Sequence, residues 1–216
     1  MKRRVTFFAD KFTLRFLRLG LTLAAVVYVF NGVTAQISIT AGENCSFVRN
    51  HHLLEHQQPV FGYRFGPSLQ VKPLKNFQKL SVQTEFLLNQ KGYQLHLDKT
   101  YFIRFNYVSF SVLMGYTPVA WVSMTTGVEF SGLLSTNVEK GTETYRNFDA
   151  GLVFGFTFLD QKRISLYARA TIGITPTLDY YSFDKLGNFT GAIHDLRNTC
   201  FSLGIKIKLF DNEMLK

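Results

Sequence analysis

An alternation of apolar and polar residues with a period of two, repeated along most of the chain beyond residue 36, constrains the fold more than any other feature. In VFGYRFGPSLQV, Phe61, Tyr63, Phe65, Leu69 and Val71 alternate with Gly62, Arg64, Gly66, Ser68 and Gln70. KLSVQTEFLLNQK sets Leu80, Val82, Phe86 and Leu88 against Ser81, Gln83, Glu85 and Asn89. NFDAGLVFGFTF sets Phe148, Leu152, Phe154, Phe156 and Phe158 against Asn147, Asp149, Gly151, Gly155 and Thr157, and RISLYARATIGI and CFSLGIKIKLF follow suit. Successive side chains of a strand point to opposite faces, so these segments build sheets with one apolar and one polar face. Beyond residue 36 no run of 18 apolar residues occurs, which excludes helical membrane spans there.

A soluble sandwich and a membrane barrel share this alternation and differ in which face is inside. Three features select the membrane. The polar face is rich in Gly and small residues, as a narrow lumen requires. The apolar face is rich in Phe and Leu, on strands long enough for a tilted crossing of the hydrocarbon layer. The third feature is the connections between the expected strands, at 37–47, 59–72, 78–92, 100–114, 119–134, 145–158, 163–174 and 197–210. These gaps alternate long (48–58, 93–99, 135–144, 175–196) with short (73–77, 115–118, 159–162), the asymmetry of tight periplasmic turns and longer external loops. The predicted fold is all-β, an eight-stranded antiparallel up-and-down transmembrane β-barrel. In the fourth strand the apolar phase shifts from Ile103 and Phe105 to Val108, Phe110 and Val112, so a β-bulge near Tyr107 or a misplaced boundary is expected.

The first 35 residues differ in kind. MKRRVTFFADKFTLRFLRLG leads into the apolar run Leu21–Phe30, and Val33, Thr34 and Ala35 suit a peptidase cut before Gln36. Ten apolar residues fall well short of the roughly 20 that a helical anchor needs. Residues 1–35 therefore read as a signal peptide and 36–216 as the barrel domain. The leader holds six of the 24 basic residues and one of the 15 acidic ones, which leaves the remainder at about +4 and removes the basis for nucleic-acid binding.

Several segments resemble the PorT-like outer-membrane β-barrel proteins found chiefly in Bacteroidetes. They are TAGENCS in the first strand, LSVQTEFLLNQKGY in the third, NFDAGLVFGFTF in the sixth and RNTCFSLGIKIKLF at the end. The resemblance spans about Ile37 to Phe210 and implies insertion into outer-membrane lipid by the barrel assembly machinery. The aromatic which that machinery reads would be Phe210, here followed by DNEMLK. One branch of the family takes part in protein secretion and gliding; the signatures themselves are structural and silent on activity.

Opposed residues of an antiparallel hairpin are equidistant from its turn. The turn at 73–77 sets Arg64 within one position of Glu85; the turn at 115–118 does the same for Arg104 and Glu129, and the loop at 135–144 for Glu129 and Asp149. Arg169 and Lys206 continue the series on the last two strands. A belt of alternating charge inside the barrel is expected, and an interior this narrow favours a packed plug over an ion path.

No catalytic, cofactor or metal site is expected. His51, His52, Glu55 and His56 in the first long loop and His194 and Asp195 in the last are rim groups that could be weighed for acid–base or metal chemistry, and no GxSxG nucleophile setting accompanies them. The longest loop carries Tyr180, Tyr181, Phe183 and Phe189, which fit either a protein-partner contact or an external aromatic girdle. Cys45 and Cys200 fall near each other on the first and last strands but out of phase, so two free thiols are expected. The function expected is a non-enzymatic structural or interaction role, with a small pore as the alternative and a lipid-modifying hydrolase or acyltransferase at the outer rim third. Mass spectrometry of the protein from outer membranes should find Gln36 as its first residue; a retained Met1 would mean an uncleaved leader.

Overall fold

The strand-forming segments come together in a computed structural model that describes residues 34–49, 57–72, 79–96, 99–138, 145–183 and 189–211, with only the backbone described at 34, 179–183, 189–195 and 211. Eight long strands pair in antiparallel fashion and close into a ring: β1 (Thr34–Arg49), β3 (Val60–Lys72), β4 (Leu80–His96), β5 (Thr100–Val119), β6 (Val122–Thr136), β7 (Phe148–Phe158), β8 (Ile164–Gly173) and β11 (Arg197–Asp211). Neighbours in sequence are neighbours in space, and β1 pairs with β11 to close the seam, Ile37 opposite Phe210. A two-residue strand, β2 (Gln57–Gln58), adds to the outer end of β4, and β9 (Leu178–Phe183) and β10 (Phe189–Asp195) form a separate hairpin in the last long connection.

Burial follows the alternation. Phe61, Tyr63 and Phe65, Phe154 and Phe156, and Phe201, Leu203 and Ile205 are exposed on the outside, whereas Arg64, Ser68, Gln70, Gln83, Glu85 and Asn89 are buried in the lumen. An inside-out protein of this kind needs an apolar solvent around it, and closure leaves no sheet edge unpaired in that solvent. Following one row around the ring from Glu43, with the β3–β4 register of Arg64 and Asn89 continued by one residue, reaches Asn106 on β5 in one direction and Tyr116 in the other, ten residues apart. That stagger tilts the strands by about 40°.

Two connections differ most from the sequence-based boundaries. β4 and β5 run on to His96 and Thr100, so the loop expected at 93–99 shrinks to 97–99. β5 also continues to Val119, and the turn expected at 115–118 is Ala120–Trp121. Backbone pairing with a partner strand continues beyond the apolar stretch that marks a strand in sequence, because each added residue gains its ladder bonds. The expected irregularity near Tyr107 is present, but the extra residue lies on the partner: Asn106 faces Ser135 and Tyr107 faces Leu133, leaving Leu134 unopposed on β6. β5 itself alternates without interruption, with Phe105, Tyr107, Ser109, Ser111 and Leu113 all inward. Its apolar phase shifts because the lumen becomes apolar at its outer end.

There Val48, Tyr93, Phe105, Tyr107 and Leu196 pack together, with Leu95, Ile103, Leu133, Tyr145 and Leu178 around them. Leu196, between β10 and β11, adopts a left-handed conformation (φ 62°) and is fully buried in this cluster, its carbonyl accepting from the Thr177 amide at 2.8 Å. The strain of a left-handed leucine is held by packing around it. Cys45 and Cys200 are free: Cys45 opposes Phe201 on the outside, and Cys200, opposite Ser46, is buried in the lumen.

At the seam Gly42 faces Gly204, and Gly204 faces Tyr167, whose phenol lies over the two glycines. A Cβ on Gly204 would sit 2.6 Å from the Gly42 Cα and 2.7 Å from the Tyr167 hydroxyl. Gly204→Val should therefore destabilise the barrel by about 1 to 3 kcal/mol through overpacking, read as a lower temperature for loss of the compact gel band. Equal stability of variant and wild type would contradict this seat.

Candidate functional site inside the barrel

The middle of the lumen is filled by side chains that inward phase alone delivers from five strands: Arg64 on β3, Glu85 and Lys91 on β4, Glu129 on β6, Asp149 on β7 and Arg169 on β8. All six are buried. Their charges alternate in one chain. Arg169 clasps Glu85 with both terminal nitrogens, Nη2 at 2.8 Å from Oε1. Glu85 Oε2 also takes Arg64 Nη2 at 3.1 Å, and Arg64 Nη1 reaches Glu129 Oε2 at 3.0 Å. Glu129 Oε1 meets Lys91 Nζ at 3.0 Å, and the same ammonium meets Asp149 Oδ2 at 3.0 Å.

Neutral groups supply further hydrogen bonds to the chain, although Arg64 Nε and Asn198 Oδ1 find no partner among the described residues. Asn198 donates to Asp149 Oδ2 at 3.0 Å and Thr175 to its Oδ1 at 3.2 Å. Asn89 donates to Glu129 Oε1 at 3.3 Å and itself accepts from Asn44, whose Oδ1 takes the Ser202 hydroxyl at 2.6 Å, so the seam strands are tied in. Toward the periplasmic end Lys206 donates to Gln70 and Gln83 at 3.2 and 3.0 Å, and Gln83 donates to Glu85 Oε1 at 2.6 Å. Lys206 thus joins through an amide relay rather than a direct pair. Buried ions are tolerated when paired and hydrogen-bonded in this way, and removing one partner leaves an uncompensated charge.

Of the seven residues expected in the belt, Arg64, Glu85, Glu129, Asp149, Arg169 and Lys206 face the lumen. Arg104 does not. It is exposed, with its guanidinium 5.9 Å from the centre of the Phe102 ring and its amide bonded to Asn137 Oδ1 at 2.9 Å. The misplacement has two causes. The β5–β6 turn lies beyond 115–118, so Glu129 opposes Ser111, and Phe105, although apolar, faces the lumen, which turns Arg104 outward. Lys91 supplies the cation instead. Its inward phase with Glu85 and Asn89 was visible in LSVQTEFLLNQK, but QKG reads equally well as the start of a turn.

Tyr180, Tyr181, Phe183 and Phe189 lie on the β9–β10 hairpin, with Phe183 opposite Phe189; their side chains are outside the described residues, as are His51, His52, Glu55 and His56. Among the described residues no group of three His, Cys, Asp or Glu could hold a metal.

A closed antiparallel ring of eight strands with an apolar exterior and a charged, filled interior defines an outer-membrane β-barrel. Residues 33–179 match the family described as outer membrane protein beta-barrel domain, and the chain belongs to that family. Similar solved folds include Neisserial surface protein A, 12% identical over 83% of this chain and 100% of that one, with a TM-score of 0.44. Ail, the attachment invasion locus protein of Yersinia pestis, in complex with the heparin analogue sucrose octasulfate, is 14% identical over 82% and 99%, TM-score 0.41. OprG from Pseudomonas aeruginosa is 10% identical over 82% and 94%, TM-score 0.40. No curated protein matches the sequence.

Glu85→Ala, which leaves Arg64 and Arg169 facing each other, should lower unfolding stability in lipid vesicles by about 3 to 5 kcal/mol. Arg104→Ala should change it by less than about 0.5 kcal/mol. Comparable losses in urea titrations of the two variants would contradict the assignment of Arg104 to the outside.

Proposed function

We propose that this protein is a non-enzymatic outer-membrane barrel whose lumen is a stabilising plug and whose work is done by its outward surfaces, binding a partner or serving a larger membrane assembly. The observation that carries this reading is the unbroken ion-pair chain from Arg169 to Asp149, lying beneath the apolar cluster of Tyr93, Phe105, Tyr107 and Leu196. Ions crossing the lumen would have to separate these pairs and part the apolar layer above them. Each step is costly in a narrow, low-dielectric interior.

Recognition then falls to the rims, the wall and the loops, including Tyr180, Tyr181, Phe183 and Phe189. Export by removal of residues 1–35, insertion guided by Phe210, and membership of the PorT-like branch of Bacteroidetes complete the proposal. Its support is the residue pattern: the leader, the TAGENCS and RNTCFSLGIKIKLF segments, and the Phe210 position at the end of β11.

A small pore is the second reading, favoured by the charged lumen. The two separate in planar bilayers. Refolded wild type should give no steady ion current, while paired Glu85→Ala and Glu129→Ala changes, if the barrel still folds, should introduce one. A sustained wild-type current would overturn the plug, and co-purification from cross-linked outer membranes tests the partner.

A further inference from the structure

The outward face of β1 carries a charged residue where lipid is expected. Glu43 is exposed, between Ala41 and Cys45 on the same face. It shares its row with Asn106 three strands away in one direction and with Tyr116 five strands away in the other. Asn106 marks the outer edge of the apolar band, where it accepts from Tyr63 and Gln90 and donates to Ser135. Tyr116 lies near the periplasmic edge, beside the Ala120–Trp121 turn. With strands tilted about 40°, a row changes depth by about 3 Å per strand, so Glu43 lies roughly 9 Å inside a band about 25 Å tall.

At that depth a carboxylate facing hydrocarbon is unfavourable and marks function unless it is paired. Among the described residues Glu43 has no ion pair or hydrogen bond, and the band carries no other charged side chain.

The surroundings have a shape. On β3, Phe61, Tyr63 and Phe65 stand opposite Cys45, Glu43 and Ala41; on β11, Phe201, Leu203 and Ile205 do the same. Large, exposed apolar side chains, Leu203 at 67% and Phe61 at 63%, therefore wall a trough one strand wide. Ala41 and Cys45 form its floor, and Glu43 stands at its centre.

We propose that this trough is a lateral docking site, inside the membrane, for a second membrane protein that presents a lysine or arginine on its own lipid-facing surface at matching depth. The carboxylate selects a cation, and the walls align a side chain long enough to reach it. A second copy of this chain does not fit, because the described lipid-facing band brings no basic side chain to the trough. The inference rests on the proposed interaction role and names where that interaction occurs.

The test places the photo-cross-linker p-benzoylphenylalanine at Leu203 in the full chain, in native outer membranes. The expected result is an adduct with a different membrane protein, reduced about tenfold in Glu43→Leu, as for loss of one desolvated charge pair, and kept in Glu43→Asp. Replacing the partner's lipid-facing cation by Glu should abolish the adduct, and Glu43→Arg should restore it. Isolated Glu43→Leu barrel should unfold no more easily than wild type, since a lipid-facing carboxylate has been removed; a destabilised variant would assign Glu43 a structural role and overturn the site. Adducts with lipid alone, with a second copy, or unchanged in Glu43→Leu would also overturn it. A partner that still co-purifies while the Leu203 adduct is absent removes only the lateral site, whereas no partner by either route removes the interaction role as well.

Discussion

In hydrocarbon every backbone amide and carbonyl must find its partner within the protein, and the rest of this structure depends on meeting that requirement. An open sheet would leave two edges unpaired; joining β1 to β11 removes both. Closure at eight strands then fixes the width of the interior, and the width fixes what the interior can contain. Side chains fill it. At the seam, Gly42 and Gly204 leave room for the ring of Tyr167.

Closure also sorts the sequence into two solvents. Odd positions of β3 and β11 and even positions of β4, β7 and β8 meet lipid, and their neighbours meet the lumen. The lumen is itself layered. Lys206, Gln70 and Gln83 occupy the periplasmic side, the alternating ions the middle, and aromatic rings with Leu196 the outer side. The layers use the same strands at different heights.

Much of this was legible because the code is local. A period of two in β3, β4, β7, β8 and β11 gave phase, and phase gave the inward direction of Arg64, Glu85, Asp149 and Arg169 with no knowledge of contacts. Closure requires the first strand to pair with the last, and the structure sets Ile37 opposite Phe210 there. What stayed hidden depends on register, which a turn shifted by a few residues changes for a whole hairpin. Arg104 faces outward for that reason, and because Phe105 and Tyr107, apolar yet inward, mark an apolar layer of the lumen and not the lipid face. Lys91 was overlooked for the complementary reason, as a lysine beside a glycine at an apparent strand end. Glu43 escaped notice because TAGENCS reads as a polar stretch until its neighbours across the seam are known.

The order of the ion-pair chain has a consequence for assembly. Its members come from β3, β4, β6, β7 and β8, and Glu85 is held by Arg64 on one side and by Arg169, 84 residues later, on the other. A sheet that has inserted only its first strands carries charges with no counter-ions, and so does one that pairs its edges in the wrong register. Such intermediates are penalised from within, before any outside surface is tested. The lumen therefore acts as a checksum on strand content and order, accepting only a ring in which β3, β4, β6, β7 and β8 have all arrived in their places.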